Sequence, residues 1–194
     1  MSKTLYLMRH GQTLFNQVHK IQGWCDSPLT ELGIRQAQVA GQYFKDKGIL
    51  LDAAYASTSE RACDTLEQVT DLPYQRVKGL KEWNFGRFEG EHEYLNPPLP
   101  YNDFFVAYGG ESQTEVEARM AKTLQEIMTI TTGTNILAVS HGASCANFIR
   151  HWSHTSEVTR KEPIANCCIF KFEFSENEFK LLEIINHDFS KLME

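Results

Sequence analysis

The sequence has no long apolar run, no low-complexity stretch and no cysteine pattern of a disulfide or zinc scaffold. A transmembrane helix needs about 20 apolar residues, so none is predicted. The N-terminus reaches a predicted strand at once and lacks the charged and apolar regions of a signal peptide. The five cysteines are odd in number and lack zinc-ligand spacing, which predicts reduced thiols and a cytoplasmic protein without a metal site.

Basic residues are fewer than acidic ones, and the formal net charge is -6. That balance argues against nucleic acid or an anionic membrane as the main partner. An anionic ligand would therefore depend on a local cationic pocket. The length of 194 residues predicts one domain over 1–194, with a core that needs no disulfide or metal.

Apolar strands alternate with amphipathic helices along the chain. This pattern predicts an α/β fold, a three-layer α/β/α sandwich with a mostly parallel sheet. The predicted strands are 4–8, 53–57 and 135–140, followed by a hairpin of 169–174 and 179–185 with a four-residue turn. Helices are predicted after Thr30, Ser57, Ser112 and His141, with Ser57-x-x-Glu60 and Ser112-x-x-Glu115 as capping boxes.

The segment of about 83–111 breaks this alternation. It is rich in aromatic residues, glycine and proline and has little helical period. A long irregular insertion in a compact domain is usually a functional lid or a disordered segment. Disordered segments are poor in aromatic residues, so an ordered lid is predicted.

Two predicted strands end in the same dipeptide. Arg9-His10-Gly11 follows the first strand, and His141-Gly142 follows the strand 135–140. Each alone fits a turn histidine followed by a permissive glycine. Ligands gather beyond the carboxyl ends of strands in open α/β sheets, so the pair predicts two imidazoles in one crevice. Arg61, in the first turn of a predicted helix, adds a second guanidinium to this crevice.

The predicted crevice suits a phosphate. Arginine grips phosphoryl oxygens through a planar fork of donors. The helix N-termini after Ser57 and at Gly142 offer N–H groups and a positive dipole end. Asn16 and Gln22 are uncharged donors that complete the cradle or hydrogen-bond their own loop.

The run Arg9-His10-Gly11-Gln12-Thr13-Leu14-Phe15-Asn16 resembles the signature of the histidine phosphatase superfamily, in its phosphoglycerate-mutase-like branch. Further resembling blocks follow in the family's order over essentially the whole chain. They are Gln22 to Thr30 with Gly33, Ser57 with Arg61-Ala62 and Thr65, Leu80-Lys81-Glu82 with Phe85-Gly86 and Glu89-Gly90, Gly110-Glu111-Ser112, and Ser140-His141-Gly142.

The resemblance implies a role for each matching residue. His10 would be the nucleophile that becomes a phosphohistidine, and Glu82 would be the proton donor and acceptor. Arg9, Arg61 and His141 would stabilise the phosphoryl oxygens, so no metal or cofactor is expected. The expected phosphate-binding residues are Arg9, Asn16, Gln22, Arg61, His141 and Gly142.

The function expected from this reasoning is a metal-independent phosphomonoesterase for a small cytosolic phosphate monoester. Arg87 is the only Lys or Arg between Trp83 and Glu111, whereas a phosphoglycerate mutase needs additional cations. The aromatic residues there suggest a wall for an apolar or ring-bearing leaving group. Three alternatives stay open: a phosphoglycerate mutase, a phosphoprotein phosphatase, and a phosphate-binding module without catalysis. The natural substrate and the oligomeric state are open too.

Overall fold

Residues 2–192 are described by a computed structural model, and they contain one mixed sheet of six strands. The strands are β1 (Lys3–Arg9), β2 (Ala53–Ser57), β3 (Tyr74–Val77), β4 (Asn135–Ser140), β5 (Ile169–Ser175) and β6 (Glu178–Ile185). Their order is β3-β2-β4-β1-β5-β6, and the first four are mutually parallel. β5 and β6 run antiparallel to their neighbours. The predicted mostly parallel sheet is confirmed, and β3 is an additional strand.

Helices cover both faces of this sheet. They are α1 (Leu14–Gln17), α2 (Glu31–Asp46), α3 (Glu60–Val69), α4 (Gln113–Ile130) and α5 (Gly142–His151). The side chains of β1 alternate between the two layers: Tyr6 and Met8 join the core under α2 and α3, whereas Leu5 and Leu7 join the core under α4 and α5. The predicted three-layer sandwich is confirmed. No helix within 2–192 has the length and apolar character to cross a membrane.

Two of the predicted helix starts have the expected capping bonds. The Thr30 hydroxyl accepts the N–H of Gly33 at 3.0 Å at the start of α2. At α4, the Ser112 hydroxyl accepts the N–H of Glu115 at 3.2 Å, and Glu115 accepts the N–H of Ser112 at 2.8 Å. These reciprocal bonds form the predicted capping box.

The predicted capping box of Ser57 and Glu60 is wrong. β2 extends through Ser57, which pairs with Val77 of β3, so Ser57 lies two residues before the helix boundary. Ser59 is the N-cap of α3 and makes no side-chain capping bond. The serine hydroxyl is therefore available for a contact outside the helix.

The C-terminal hairpin forms as predicted but with a shorter turn. Glu176 and Asn177 alone connect β5 to β6, with φ angles of 53° and 64°. Two-residue hairpin turns need such left-handed residues because their twist matches that of the strands. The predicted four-residue turn is corrected to two.

The 83–111 segment folds into three 3-10 turns, Gly86–Phe88, Glu93–Leu95 and Phe104–Tyr108. Its two ends meet, because the indole N–H of Trp83 donates to the Glu111 carbonyl oxygen at 2.7 Å. A short antiparallel ladder joins the segment to the loop after α1. In that ladder Ile21 donates to the Glu91 carbonyl oxygen at 2.7 Å, and Glu93 donates to the His19 carbonyl oxygen at 2.9 Å.

Candidate active site

His10 immediately follows β1 and is 4% exposed. Its Nδ1 lies 2.7 Å from the Gly11 carbonyl oxygen, which can only accept a hydrogen bond. Its Nε2 accepts the Nε–H of Arg61 at 3.3 Å. Burial lowers the pKa of His10 well below its ordinary value of 6.5, and the charges of Arg61 and Arg9 lower it further. His10 is thus neutral, with its proton on Nδ1 and a lone pair on Nε2.

Arg61 lies in the first turn of α3 and has no exposed surface. Its Nε donates to His10, and the other donors reach the loop after α1. Their acceptors are the carbonyl oxygens of Gln22, Gly23 and Cys25 and a carboxylate oxygen of Asp26. The sequence predicts a fork that holds phosphate, but all the N–H donors of Arg61 are engaged in the structure. Arg61 acts on this site through its charge and through its bond to Nε2.

His141 follows β4, which pairs with β1 so that Ser140 lies opposite Arg9. The His141 and His10 ring centroids are 5.2 Å apart, so the sheet brings the two His-Gly pairs together as expected. The His141 Nε2 lies 2.8 Å from the Ser57 hydroxyl, and its buried Nδ1 has no partner among the described residues. Burial, followed by the charge of Arg61, lowers the pKa of His141 well below its ordinary value.

Arg9 presents a donor without an acceptor. Its Nη1 donates to the Ile164 carbonyl oxygen at 2.5 Å, while its buried Nε has no hydrogen-bond partner among residues 2–192. Gly142 lies against this nitrogen, since a Cβ there would be 3.4 Å from the Arg9 Nε. A buried unpaired donor is costly unless a ligand completes it, so this position suits an anion.

Glu82 is buried, and its carboxylate lies at the N-terminus of α5. It accepts N–H bonds from Ala143 at 2.9 Å, from Ser144 at 2.7 Å and from Trp83 at 2.9 Å. Three backbone donors fix the carboxylate beside the histidine pair. Glu82 is therefore placed near His10 by the same helix that follows His141.

Both helix N-termini predicted to receive the phosphate already hold a carboxylate of the protein. Glu82 occupies that of α5, and Asp26 accepts the N–H of Glu60 at 2.6 Å at that of α3. The physical reason is that a helix N-terminus stabilises any anion beside it, and the fold holds the carboxylates of Glu82 and Asp26 there. This corrects the expected role of the two helix dipoles.

A cavity of about 270 Å³ opens beside His10. Six of the eight predicted site residues line it, namely Arg9, His10, Asn16, Gln22, Glu82 and Gly142. The other two, Arg61 and His141, lie behind His10 with no exposed surface. The chain thus brings all eight together, with six on the surface that a ligand can reach.

The side-chain amides of Asn16 and Gln22 differ in how many of their hydrogen-bonding groups already have a partner. The Asn16 oxygen accepts from the Thr13 N–H at 3.2 Å, so its NH₂ group is left for the cavity. The Gln22 oxygen accepts from the Thr13 hydroxyl at 2.7 Å, and its NH₂ group donates to Ser27 at 3.0 Å. Gln22 therefore bonds mainly within its own loop, which is the alternative that the sequence left open.

The sequence profile described as histidine phosphatase superfamily (branch 1) matches residues 5–187. The chain belongs to this superfamily. The match begins within β1 and extends past the end of β6. The family expected from the ordered sequence blocks is confirmed.

Similar proteins of this superfamily include both mutases and phosphatases. The "Probable phosphoglycerate mutase GpmB" of Yersinia pestis (strain Pestoides F) is 27% identical over 184 residues, covering 89% of this chain and 86% of that protein. A phosphoglycerate mutase from Bacillus anthracis str. Sterne has 26% identity and a TM-score of 0.82, over 94% of this chain and 92% of that one. A phosphoserine phosphatase from Entamoeba histolytica, solved with 3-phosphoglyceric acid, has 28% identity and a TM-score of 0.74, over 95% and 98%.

Two further residues position the site, and the sequence analysis does not identify either of them as doing so. Ser57 was interpreted as a helix cap, although its place at the end of β2 could have indicated the neighbouring strand end at His141. Arg119 of α4 donates to the carbonyl oxygens of Lys81 at 2.8 Å and Glu82 at 3.2 Å, and it pairs with Glu111 at 2.8 Å. No local pattern reveals this role of Arg119, because Lys81 and Glu82 lie 38 and 37 residues away in the sequence.

The aromatic residues of the 83–111 segment do not form the predicted wall. Only two of them, Phe85 and Tyr101, line the cavity. Most of the others pack on one another: the rings of Phe88 and Tyr108 are 4.9 Å apart, and Phe105 is fully buried. Aromatic residues that cover one another on a short segment build its own core, which explains the difference.

The cavity also contains cations that the composition of the 83–111 segment did not reveal. Lys20, from the loop after α1, and Arg160, from the loop after α5, both line it. The 83–111 segment itself contributes no cation to the cavity, as its composition predicts, but two other loops do. The composition of one segment could not reveal these cations, because the cavity wall is assembled from five stretches of the chain.

Proposed function

We propose that the protein is a metal-independent phosphomonoesterase that works through a phosphohistidine on His10. The observation that carries this proposal is the neutral imidazole of His10, which lines the cavity and has the lone pair on Nε2. In the first step Nε2 attacks phosphorus, and the bond from phosphorus to the leaving oxygen breaks. Glu82 enters this step protonated and gives its proton to that oxygen. In the second step water attacks phosphorus, the P–N bond breaks, and Glu82 takes the proton of the water.

Arginines supply the positive charge that phosphoryl transfer needs in this proposal. The unpaired Nε of Arg9 donates to one phosphoryl oxygen, and the free NH₂ group of Asn16 donates to another. When Nε2 of His10 forms its bond to phosphorus, it no longer accepts from Arg61. Arg61 must move aside as phosphorus takes its place at Nε2, and its released Nε–H then donates to a phosphoryl oxygen, so this stabilisation appears as the reaction proceeds.

A small-molecule phosphate monoester in the cytoplasm is the proposed substrate. The cavity volume of about 270 Å³ supports a small ligand, because drug-sized ligands occupy about 300–1,000 Å³. All five cysteines have free thiols, which supports a reducing compartment. We place the whole chain in one domain, with the 83–111 segment as the lid that carries Phe85 and Tyr101 to the cavity.

A phosphoglycerate mutase is the second candidate, since two of the similar proteins carry that name. A mutase must keep a bisphosphate bound while it turns over. Apart from the phosphoryl-binding residues and the proposed acid Glu82, the charged side chains in the cavity are Lys20, Arg160 and Glu93, with a net charge of +1. That charge offsets one carboxylate but not a carboxylate together with a second phosphate, which favours hydrolysis.

The test combines covalent labelling with product analysis. Incubation with a ³²P-labelled phosphate monoester should label wild-type protein through an acid-labile bond and release inorganic phosphate. His10→Ala should lose both the label and turnover while remaining folded, and His154→Ala, an exposed histidine, should retain both. Turnover by His10→Ala would contradict the proposal. Conversion of 3-phosphoglycerate to its 2-isomer without free phosphate would support the mutase instead.

A further inference from the structure

We propose that Glu89 is a positioning residue for phosphoryl transfer, because its carboxylate orders the loop after α1 that holds Arg61 against His10. The inference rests on the proposed phosphatase function, in which the Nε–H of Arg61 stabilises the phosphoryl group as the P–N bond forms. Glu89 belongs to the 83–111 segment and is not among the residues that line the catalytic cavity. It therefore acts through Arg61 and does not touch the substrate.

The carboxylate of Glu89 accepts four backbone N–H groups. Three come from consecutive residues of the loop after α1: Gly23 and Cys25 each donate to Oε2 at 3.0 Å, and Trp24 donates to Oε1 at 2.8 Å. The fourth is the N–H of Phe85, which donates to Oε1 at 3.0 Å. Only a carboxylate can accept all four, because a glutamine amide replaces one oxygen with a donor group.

Two peptide groups of this loop lie directly between Glu89 and Arg61. The carbonyl oxygen of Gly23 accepts from Nη2 of Arg61 at 2.8 Å, and the Trp24 N–H of the same peptide group donates to Glu89. The Gln22 carbonyl oxygen accepts from the same Nη2 at 3.5 Å, and the N–H of that peptide group is the one that Gly23 donates. Both peptide bonds are trans, so N–H and C=O point in opposite directions. Each peptide dipole thus has its positive end at the carboxylate and its negative end at the guanidinium.

Close packing fixes the loop on the Glu89 carboxylate. A Cβ at Gly23 would lie 2.3 Å from Oε1 of Glu89 and 2.2 Å from the carbonyl oxygen of Trp83, which is backbone and cannot move aside easily. The indole N–H of Trp24 donates to the Glu82 carbonyl oxygen at 3.0 Å and holds the loop from a second side. The carbonyl oxygens of the loop are therefore fixed where Arg61 reaches them.

The loop holds the Nη end of Arg61, whereas the Nε end faces His10. Nη1 donates to the Cys25 carbonyl oxygen and to the Asp26 carboxylate, both at 2.9 Å. Nε donates to Nε2 of His10 at 3.3 Å. Arg61 has no exposed surface, so these loop contacts determine where its charge and its Nε–H lie. If the N–H groups of the loop lose Glu89, the carbonyl oxygens of the same peptide groups turn away from Arg61.

The experiment uses Glu89→Gln, which keeps the size of the side chain but places an NH₂ group against N–H groups of the loop. With β-glycerol phosphate and with p-nitrophenyl phosphate, kcat should fall by about a hundredfold, because a small displacement of a catalytic contact has an effect of this size. The KM values should change by less than about twofold, since Arg61 contributes mainly in the transition state. Equal losses are expected because Arg61 stabilises the phosphoryl group, whatever the leaving group needs.

Glu91→Gln is the matched control. It removes the same charge two residues further along the same segment, from an exposed side chain outside this network. Both kinetic constants should match wild type with both substrates.

NMR of the His10 imidazole separates positioning from a loss of charge or of structure. Burial, followed by the charges of Arg61 and Arg9, lowers the pKa of His10 in the wild-type protein. Removal of the negative charge of Glu89 would by itself lower this pKa further, whereas displacement of Arg61 would raise it. In Glu89→Gln the pKa of His10 should therefore rise, and in Glu91→Gln it should not.

Glu89→Asp is a milder second variant, since it keeps the charge and withdraws the carboxylate by one methylene group. It should show the same rise of the His10 pKa and the same equal losses of kcat, at a smaller size. Circular dichroism establishes that each variant is folded, and Glu89→Asp decides the question if Glu89→Gln does not fold.

A double-mutant cycle tests whether Glu89 acts through Arg61. In an Arg61→Gln background, Glu89→Gln should lower kcat by no more than about twofold, because both substitutions remove the same contact with His10. A further hundredfold loss in this background would show independent effects and would overturn the inference.

The remaining outcomes separate this inference from the proposed function. A folded Glu89→Gln variant with wild-type kcat and an unchanged His10 titration would overturn the inference and leave the phosphatase intact. A loss of kcat confined to β-glycerol phosphate would assign Glu89 to proton transfer by Glu82 and overturn the inference as stated. Hydrolysis of neither substrate by the wild-type protein would overturn the phosphatase and this inference with it.

Discussion

Two buried neutral histidines should make the stability of this protein fall in mild acid. His10 and His141 are 4% and 0% exposed, and burial lowers both pKa values well below 6.5. The unfolded chain takes up protons on these residues below about pH 6.5, whereas the folded protein does not. The stability that these two neutral histidines contribute is fully present above about pH 7.5, and it is lost as the pH falls below their pKa in the unfolded chain.

The magnitude follows from proton linkage. Between about pH 7.5 and pH 5.5, a histidine that titrates only in the unfolded state lowers the free energy of unfolding by about 1.4 kcal/mol. Two such histidines account for about 3 kcal/mol of a total stability of about 5–15 kcal/mol. Urea unfolding at a series of pH values, followed by circular dichroism, measures this difference.

Single substitutions assign the loss of stability in acid to individual histidines. His10→Asn keeps a donor to the Gly11 carbonyl oxygen, and His141→Gln keeps a polar group near Ser57. Each should reduce the pH-dependent loss by about 1.4 kcal/mol. The exposed His154 supplies the control His154→Gln, which should leave the loss at its wild-type size. The reasoning is refuted if both variants lose as much stability as wild type, or if the His10 imidazole titrates near pH 6.5 by NMR.

Three substitutions test positioning and packing around the site. Ser57→Ala removes the hydrogen bond of the buried His141 imidazole, and urea unfolding should show a loss of about 1–3 kcal/mol. Arg119→Met frees the loop after β3 that carries Glu82, so kcat for alkyl phosphates should fall by up to about a hundredfold. The rate for p-nitrophenyl phosphate, whose leaving group needs little protonation, should change less. Equal losses for both substrates would contradict that role. Gly33→Ala would put a Cβ 2.0 Å from a backbone oxygen of the loop after β1, and thermal unfolding should show a loss of about 1–3 kcal/mol.

Several parts of the fold could be predicted because their signals are local. The apolar run before His10 and the run before His141 are buried strands, and they pair in parallel as expected. Thr30 and Ser112 begin helices because a short polar side chain there accepts an N–H within the first turn. β3 was missed because four residues with exposed positions at its centre carry little periodicity.

The predictions that were wrong concern groups for which a distant residue replaces the expected local partner. Ser57 has the sequence of a capping residue, but β2 continues to it and places its hydroxyl beside His141. The N-terminus of α5 has the chemistry of an anion site, but Glu82 reaches it from 61 and 62 residues away. A spacing of three or four residues shows which local hydrogen bonds a residue can make. It does not show which distant group the fold places beside that residue.

The sequence by itself determined the family, the strand ends that carry His10 and His141, and the set of eight residues that meet at the site. Tertiary structure alone decided which of their hydrogen-bonding groups stay free. It engages every donor of Arg61, leaves the Arg9 Nε without an acceptor, and brings Lys20 and Arg160 from distant loops into one cavity. The reason is that hydrogen-bond partners and charge neighbours are set by distances in space, and those distances join residues as far apart as Arg9 and Ile164, 155 positions along the chain.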